Sequence, residues 1–150
     1  MARKIVIATH GKVADGFKDA IDIIVGNGHD VVTINAFSED ETPKDTIAKL
    51  MANTDPKEEL LVFTDMMSGS VNQMFIPYLS THNLFVVTGT NLPLLCQLVL
   101  NFDETLTEEA IMLAIELARE EIKFVNSQVR DNAAEQADIV KDTDSFFDAV

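Results

Sequence analysis

The feature that most constrains this fold is a series of short apolar runs that alternate with longer segments of helical periodicity. Four of these runs contain almost no polar residue: residues 4–8, 31–34, 60–64 and 84–88. Strands of this kind are covered on both faces, as in parallel sheets, whereas strands with one wet face alternate apolar and polar residues. The alternation therefore predicts an α/β fold, a doubly wound, mostly parallel sheet of four strands flanked by helices.

Several helix boundaries can also be predicted. Thr42 and Thr107 stand at N-cap positions, and Pro43 suits the first turn of a helix. Pro77 lies inside the third helical pattern and should kink or shorten that helix. Residues 123–129 are predicted to form a C-terminal strand. We expect one domain over residues 1–130, followed by an acidic C-terminal tail at 131–150.

Bulk properties exclude several classes of protein. The formal net charge of −14 argues against binding to nucleic acid or to an anionic membrane surface. No apolar stretch is long enough to cross a bilayer, and the N-terminus lacks the apolar core of a signal peptide. Cys96 is the single cysteine, so an internal disulfide is impossible, which fits a reducing compartment. We expect a cytoplasmic protein with no direct membrane insertion.

Two polar residues, His10 and Asp65, follow the first and third apolar runs. In the commonest small doubly wound sheet these two strands are neighbours, and ligands bind beyond their C-terminal ends. His10 and Asp65 would then emerge side by side. A carboxylate bonded to one ring nitrogen fixes the histidine tautomer and frees the other nitrogen as a nucleophile. Asp65 could instead merely cap the helix that follows.

A Ser68-Gly69-Ser70 turn follows Asp65 and precedes a helical pattern. Backbone amides in such a turn favour a phosphate or carboxylate, and the Ser70 hydroxyl can add a donor. The same three residues are also ordinary turn and capping residues. Gly11 would leave the His10 ring open to a docking protein. A histidine nucleophile, an orienting carboxylate and an anion-accepting turn at one edge favour transient phosphorylation of His10.

Other chemistries lack their usual motifs. The chain has no Gly-x-Gly-x-x-Gly after the first strand and no nucleotide phosphate loop, and "SGSVN" is not a hydrolase nucleophile elbow. His29 and His82 follow helices in turn-like stretches and are interpreted as surface or capping residues. No His, Cys and acidic residues have metal-ligand spacing. We therefore expect neither a metal nor an organic cofactor.

Three segments, "IVIATHGKVADGF", "LVFTDMMSGSVNQ" and "VVTGTNLPLL", resemble the EIIA component of the mannose-type (mannose/fructose/sorbose) sugar phosphotransferase system. The resemblance extends from residue 3 to about residue 125. It implies that His10 is the phosphorylated histidine, that Asp65 orients it and that Ser70 donates to the phosphoryl group. It also implies a phosphoryl donor, phospho-HPr, an acceptor, EIIB, and indirect association with a membrane permease. A homodimer that exchanges the strand at 123–129 is implied as well.

The chain departs from this family pattern around the turn. Many relatives have a threonine directly after the aspartate and then Gly-Gly-Ser-Pro, whereas Met66, Ser68-Gly69-Ser70 and Val71 stand here. Three alternatives remain open. They are the phosphocarrier subunit of a dihydroxyacetone kinase system, a non-catalytic module that binds an anion or a partner, and a small hydrolase that uses Ser70.

Overall fold

The structure is a computed structural model that describes residues 3–38, 42–100, 106–130 and 132. A four-stranded sheet has the order β2-β1-β3-β4, and each neighbouring pair is parallel. Its strands are β1 (Arg3–His10), β2 (Val31–Ala36), β3 (Glu59–Thr64) and β4 (Leu84–Thr88). The predicted parallel sheet of four strands is confirmed, with β1 beside β3.

The helices of the described segments that pack with the sheet are α1 (Val13–Ile24), α2 (Pro43–Ala52), α3 (Ser70–Phe75), α4 (Leu92–Leu100) and α5 (Glu108–Glu120). Two of them, α2 and α5, begin directly after the predicted N-cap residues. Thr42 and Thr107 each accept a hydrogen bond from the backbone N–H three residues on, at 3.3 and 3.2 Å, which confirms both N-caps. A 3-10 turn at Ile76–Tyr78 follows α3, so Pro77 shortens the helix as expected.

The sheet separates two apolar layers, because successive side chains of a strand point to opposite faces. Ile5 and Ile7 pack in one layer with α1, α4 and α5. Val6 and Ala8 pack in the other layer with α2 and α3. Helices therefore cover both faces of the sheet, as a doubly wound fold requires. The same alternation places His10 on the face covered by α2 and α3.

Strand β1 extends two residues beyond the C-terminal end of the apolar run 4–8 that predicted it. His10 is the last residue of the strand and pairs with Ala36 of β2. Gly11 continues this pairing, since its N–H donates to the Ala36 carbonyl at 2.9 Å. The extension was not predicted because Thr9 and His10 are polar. An apolar pattern predicts which residues are buried, not which residues form hydrogen bonds with a neighbouring strand. His10 is therefore fixed by backbone pairing.

The chain divides into two compact units, residues 1–118 and 119–150. Within the second unit, residues 125–130 are helical and the Arg130 guanidinium carbon lies 5.9 Å from the Phe124 ring centroid. The predicted strand at 123–129 is therefore wrong for this structure. A helix satisfies its backbone hydrogen bonds internally, whereas a strand needs a neighbouring strand. Apart from Asn132, the predicted tail at 131–150 lies outside the described residues.

None of the helices in the described parts of the chain is long and apolar enough to cross a membrane.

Replacement of Phe63 by alanine should strongly destabilise the first unit. Phe63 belongs to the central strand β3 and is fully buried, so the substitution removes packing and leaves a cavity. We expect the free energy of unfolding, measured by urea denaturation, to fall by about 3–5 kcal/mol. The control is Ile23→Ala on the exposed side of α1, which should change it by less than about 0.5 kcal/mol. Equal losses in the two variants would contradict the assigned core.

Candidate functional site

The parallel pairing of β1 with β3 brings His10 and Asp65 together. Asp65 follows the last residue of β3, and one of its carboxylate oxygens, Oδ2, contacts His10 twice. It accepts from the His10 backbone N–H at 2.8 Å and lies 2.8 Å from the ring nitrogen Nδ1. The other oxygen, Oδ1, accepts from the Met66 N–H at 2.9 Å. Asp65 thus contacts the histidine directly and does more than cap the next turn.

The Asp65 carboxylate is ionised at neutral pH. Its partial burial opposes ionisation and by itself would raise the pKa. The hydrogen bonds from the His10 amide and ring, the charge of His10 and the Met66 amide together outweigh that effect, so the pKa of Asp65 lies below the ordinary 3.8. An ionised carboxylate can only accept hydrogen bonds. In the neutral imidazole the proton is therefore on Nδ1, and the lone pair is on Nε2.

Nε2 points to the outer side of the site. It lies 3.2 Å from the Ser70 hydroxyl oxygen, and the His10 side chain is 40% exposed, against 20% for Asp65. Ser70 is exposed and is the first residue of α3. Because Nε2 holds a lone pair, the Ser70 hydroxyl donates to it. The site thus has an oriented, accessible nitrogen nucleophile with one hydroxyl donor beside it.

Gly69 allows the turn to approach the histidine closely. A Cβ placed on Gly69 would lie 3.1 Å from the Met66 carbonyl oxygen and 3.6 Å from His10 Cε1. The Gly69 N–H donates to that same carbonyl at 3.1 Å, and the Gly11 N–H is also bonded, to Ala36. Both predicted glycines thus lie next to His10, but their amides are already paired within the fold. Their contribution in this state is steric.

Ser68 lies in the left-handed region of the backbone, with a φ of 61°. This conformation costs an L-residue roughly 1–2 kcal/mol, and glycine adopts it freely. A glycine at this position would relieve that cost. Ser68 therefore adds strain to the turn that precedes Ser70.

An aromatic residue that the sequence analysis did not single out also contacts His10. Phe37 comes directly after β2, and its ring stacks on the imidazole with the ring centroids 5.5 Å apart and the planes at 21°. Phe37 is 60% exposed, and Met66 and Met67 beside the site are exposed as well. The sequence signal was present: Phe37 is an apolar residue at the same sheet edge as His10.

Two further residues fix the backbone that carries Asp65. Thr90, after β4, donates to the Thr64 carbonyl from its hydroxyl at 2.7 Å and from its N–H at 3.2 Å. Asn72, buried in α3, donates from its side-chain amide to the Thr64 hydroxyl at 3.1 Å. Both residues hold Thr64, which immediately precedes Asp65. Sequence reasoning missed them because they act one residue away from the site.

The remaining histidines lie in other surroundings. His82 Nε2 is 3.2 Å from the Met51 carbonyl at the end of α2, which agrees with its interpretation as a capping residue. His29 is half-buried in the turn before β2. Among the described residues, no group of three or more His, Cys, Asp or Glu side chains could hold a metal ion.

The strain at Ser68 predicts that Ser68→Gly stabilises the protein. Glycine removes the cost of the positive φ but adds chain entropy in the unfolded state, so we expect a net gain of about 1 kcal/mol in the free energy of unfolding. Gly11→Ala is the matched control, because Gly11 has the same φ of 61° and open space around its Cβ position. It should destabilise by about 1 kcal/mol. A Ser68→Gly variant less stable than the wild type would refute the strain.

The lowered pKa of Asp65 predicts a specific pH dependence of stability. The folded-state pKa lies below the unfolded one, so the ionised carboxylate stabilises the fold above the unfolded pKa of about 3.9. That contribution is lost as the pH falls through the folded-state pKa. The wild type should therefore lose stability relative to Asp65→Asn as the pH falls from about 5 through the folded-state pKa of Asp65, measured in urea denaturation series. A constant difference between the two proteins over this range would disprove the assignment.

The chain is similar to known proteins over most of its length. Residues 4–116 match the family model EIIA-man, described as the PTS system fructose IIA component. A Klebsiella pneumoniae structure assigned as a phosphoenolpyruvate-dependent sugar phosphotransferase system (PTS) permease is 32% identical, with a TM-score of 0.81 over 86% of this chain and 95% of that one. Phosphotransferase system component EIIA from Streptococcus agalactiae is 25% identical, with a TM-score of 0.70 over 83% and 98% of the two chains.

The mannose/sorbose specific IIA subunit from Enterococcus faecalis, at 18% identity, shares the fold with a TM-score of 0.68 over 83% of this chain and 95% of that one. No curated protein sequence gives a significant match. The family match covers most of the chain and includes both His10 and Asp65. The chain belongs to the mannose-type EIIA family of the sugar phosphotransferase system.

Proposed function

We propose that this protein is a phosphohistidine carrier that accepts a phosphoryl group on Nε2 of His10. The observation that carries the proposal is the pair of contacts on the two ring nitrogens. Nδ1 is held by the ionised Asp65 carboxylate, and Nε2 is exposed beside the Ser70 hydroxyl. This arrangement leaves one nucleophilic nitrogen directed towards a docking protein.

The transfer step needs no metal and no proton movement at the attacking nitrogen. The Nε2 lone pair of His10 forms a bond to the phosphorus of a phosphohistidine on the donor. The P–N bond of the donor breaks, and its electron pair returns to the donor ring. His10 then has a proton on Nδ1 and the phosphoryl group on Nε2, so its ring is cationic, and the Asp65 carboxylate 2.8 Å away stabilises that charge.

Ser70 changes its acceptor during this step. In the free protein its hydroxyl donates to Nε2. Once that lone pair is used in the P–N bond, the hydroxyl is free to donate to a phosphoryl oxygen in the same region. The donor is thus already positioned before the reaction, which lowers the reorganisation that the transfer requires.

The family resemblance supports phospho-HPr as the donor and EIIB as the acceptor, in the cytoplasm and beside a membrane permease. Both partners must reach Nε2 in turn, which fits an open site bordered by the exposed side chains of Met66 and Met67. A homodimer is part of the same proposal. Strand exchange through residues 123–129 is not part of the proposal, because residues 125–129 of that segment are helical.

Incubation with phosphoenolpyruvate, enzyme I and HPr should add one acid-labile phosphoryl group to His10, as measured by intact mass and peptide mapping. His10→Gln should abolish this modification, because it removes the nitrogen that accepts the phosphoryl group. His82→Gln is the matched control and should leave the modification unchanged, since that ring contacts the end of α2. A wild-type protein that gains no phosphoryl group under these conditions would rule out the carrier function.

The Ser70–His10–Asp65 spacing also favours a second candidate, a serine hydrolase, because the hydroxyl, imidazole and carboxylate are in the order of a catalytic triad. Ser70→Ala separates the two functions. In a carrier the nucleophile is Nε2 of His10, which this substitution leaves in place, so phosphorylation of His10 should slow by about a hundredfold and still reach completion. In a hydrolase the nucleophile itself is lost, and turnover of an activated ester should cease.

A further inference from the structure

Phe37 combines two features that folding alone does not favour. Its backbone has a φ of 64°, a left-handed conformation that is rare for a bulky residue. Its side chain is 60% exposed, so burial of the ring returns little free energy. Strained residues of this kind persist where the surrounding structure imposes them, and they cluster at functional sites.

The strand ends impose this conformation. The carbonyl of Ala36, the residue before Phe37, accepts from the Gly11 N–H at 2.9 Å, and the Ser38 N–H donates to the Asn35 carbonyl at 3.2 Å. These bonds turn the chain sharply after β2 and direct the Phe37 ring across the face of His10. The centroid distance of 5.5 Å and the angle of 21° describe an offset stack.

We propose that Phe37 is a positioning residue that holds the His10 ring and stabilises its phosphorylated, cationic form. This inference rests on the proposed function, because phosphorylation of Nε2 is what makes the ring a cation. The face of an aromatic ring carries partial negative charge and attracts a cation within about 6 Å of its centroid. Asp65 then stabilises the cation in the plane of the ring, at Nδ1, and Phe37 stabilises it from above.

The same contact restricts rotation of the imidazole. Asp65 fixes one edge of the ring, but a single hydrogen bond allows the ring to rock about it. A flat aromatic surface on one face opposes that motion and keeps Nε2 directed towards Ser70. Because that face of His10 is covered, partners would approach Nε2 along its edge.

The test uses potassium phosphoramidate, which transfers its phosphoryl group to an imidazole nitrogen and releases ammonia, so no partner protein is needed. The full-length wild type, Phe37→Leu and Phe37→Trp are phosphorylated, the reagent is removed, and the loss of phosphate from His10 is followed by peptide mass spectrometry. In that loss, water attacks phosphorus, the P–Nε2 bond breaks and its electron pair returns to the ring.

Phe37→Leu should lose phosphate from His10 about two- to fivefold faster than the wild type, the range expected for a cation–π contact at an exposed site. Leucine keeps an apolar side chain on the same strained backbone, so the comparison isolates the aromatic face. Phe37→Trp should restore or extend the wild-type lifetime, because indole binds cations best. The phosphate on any labelled His82 serves as an internal control and should be lost at one rate in all three proteins.

Equal lifetimes on His10 in the wild type and Phe37→Leu would overturn the proposal, and so would a Trp variant that behaves like the Leu variant. If Phe37 only docked a partner, Phe37→Leu would slow transfer from phospho-HPr and leave the partner-free lifetime of the phosphate unchanged. That result would also contradict the proposal. If the lifetimes change as expected and phospho-HPr transfers nothing to the wild type, the carrier function fails and the stabilising contact stands.

Discussion

The double contact between Asp65 Oδ2 and His10 is the interaction on which the site depends. One oxygen atom accepts from the backbone N–H of His10 and contacts its ring, both at 2.8 Å. The first bond joins the ends of β1 and β3, and the second fixes the tautomer of the ring. The geometry of the sheet and the chemistry of the histidine are therefore coupled, and neither can shift without the other.

Two loop residues near the site have strained backbone conformations, which the rest of the fold stabilises. Ser68 and Phe37 both have positive φ angles; Phe37 stacks on His10, and Ser68 directly precedes Gly69 in the turn beside it. The core layers on the two faces of the sheet supply the stability that keeps them there. Thr90 contributes locally, because its two hydrogen bonds to the Thr64 carbonyl hold the backbone immediately before Asp65.

The fold and the central pair of the site could be predicted from the sequence because both depend on patterns that are local in the chain. Continuous apolar runs identify buried parallel strands, and the strand order of the commonest fold of this class then brings His10 next to Asp65. The sequence places the apolar residue Phe37 at the same sheet edge as His10, but the stacking of the two rings could not be predicted in the same way. That contact depends on a backbone turn at the end of β2, where the Gly11 N–H donates to the Ala36 carbonyl and the Ser38 N–H donates to the Asn35 carbonyl. Single-sequence propensities do not encode such bonds.

The error at residues 123–129 has a related cause. The segment "KFVNSQV" has apolar residues at positions compatible with either a strand or a short helix, and nothing in so short a segment separates the two periods. Which of them forms is decided by the available backbone partners. Residues 125–130 are helical in the described structure, where a helix needs no neighbouring strand.

The open geometry of the site is consistent with a relay, which must both gain and release its phosphoryl group. A fully buried ion pair would hold the cationic phosphohistidine too strongly for onward transfer, because charge interactions strengthen as water is excluded. Here His10 is 40% exposed and Asp65 20% exposed, so solvent weakens each contribution. In place of one strong contact, His10 has three modest ones, with Asp65, Ser70 and Phe37. In the proposed carrier each can be released as the acceptor's own nitrogen approaches the phosphorus, which keeps the transfer close to balance in both directions.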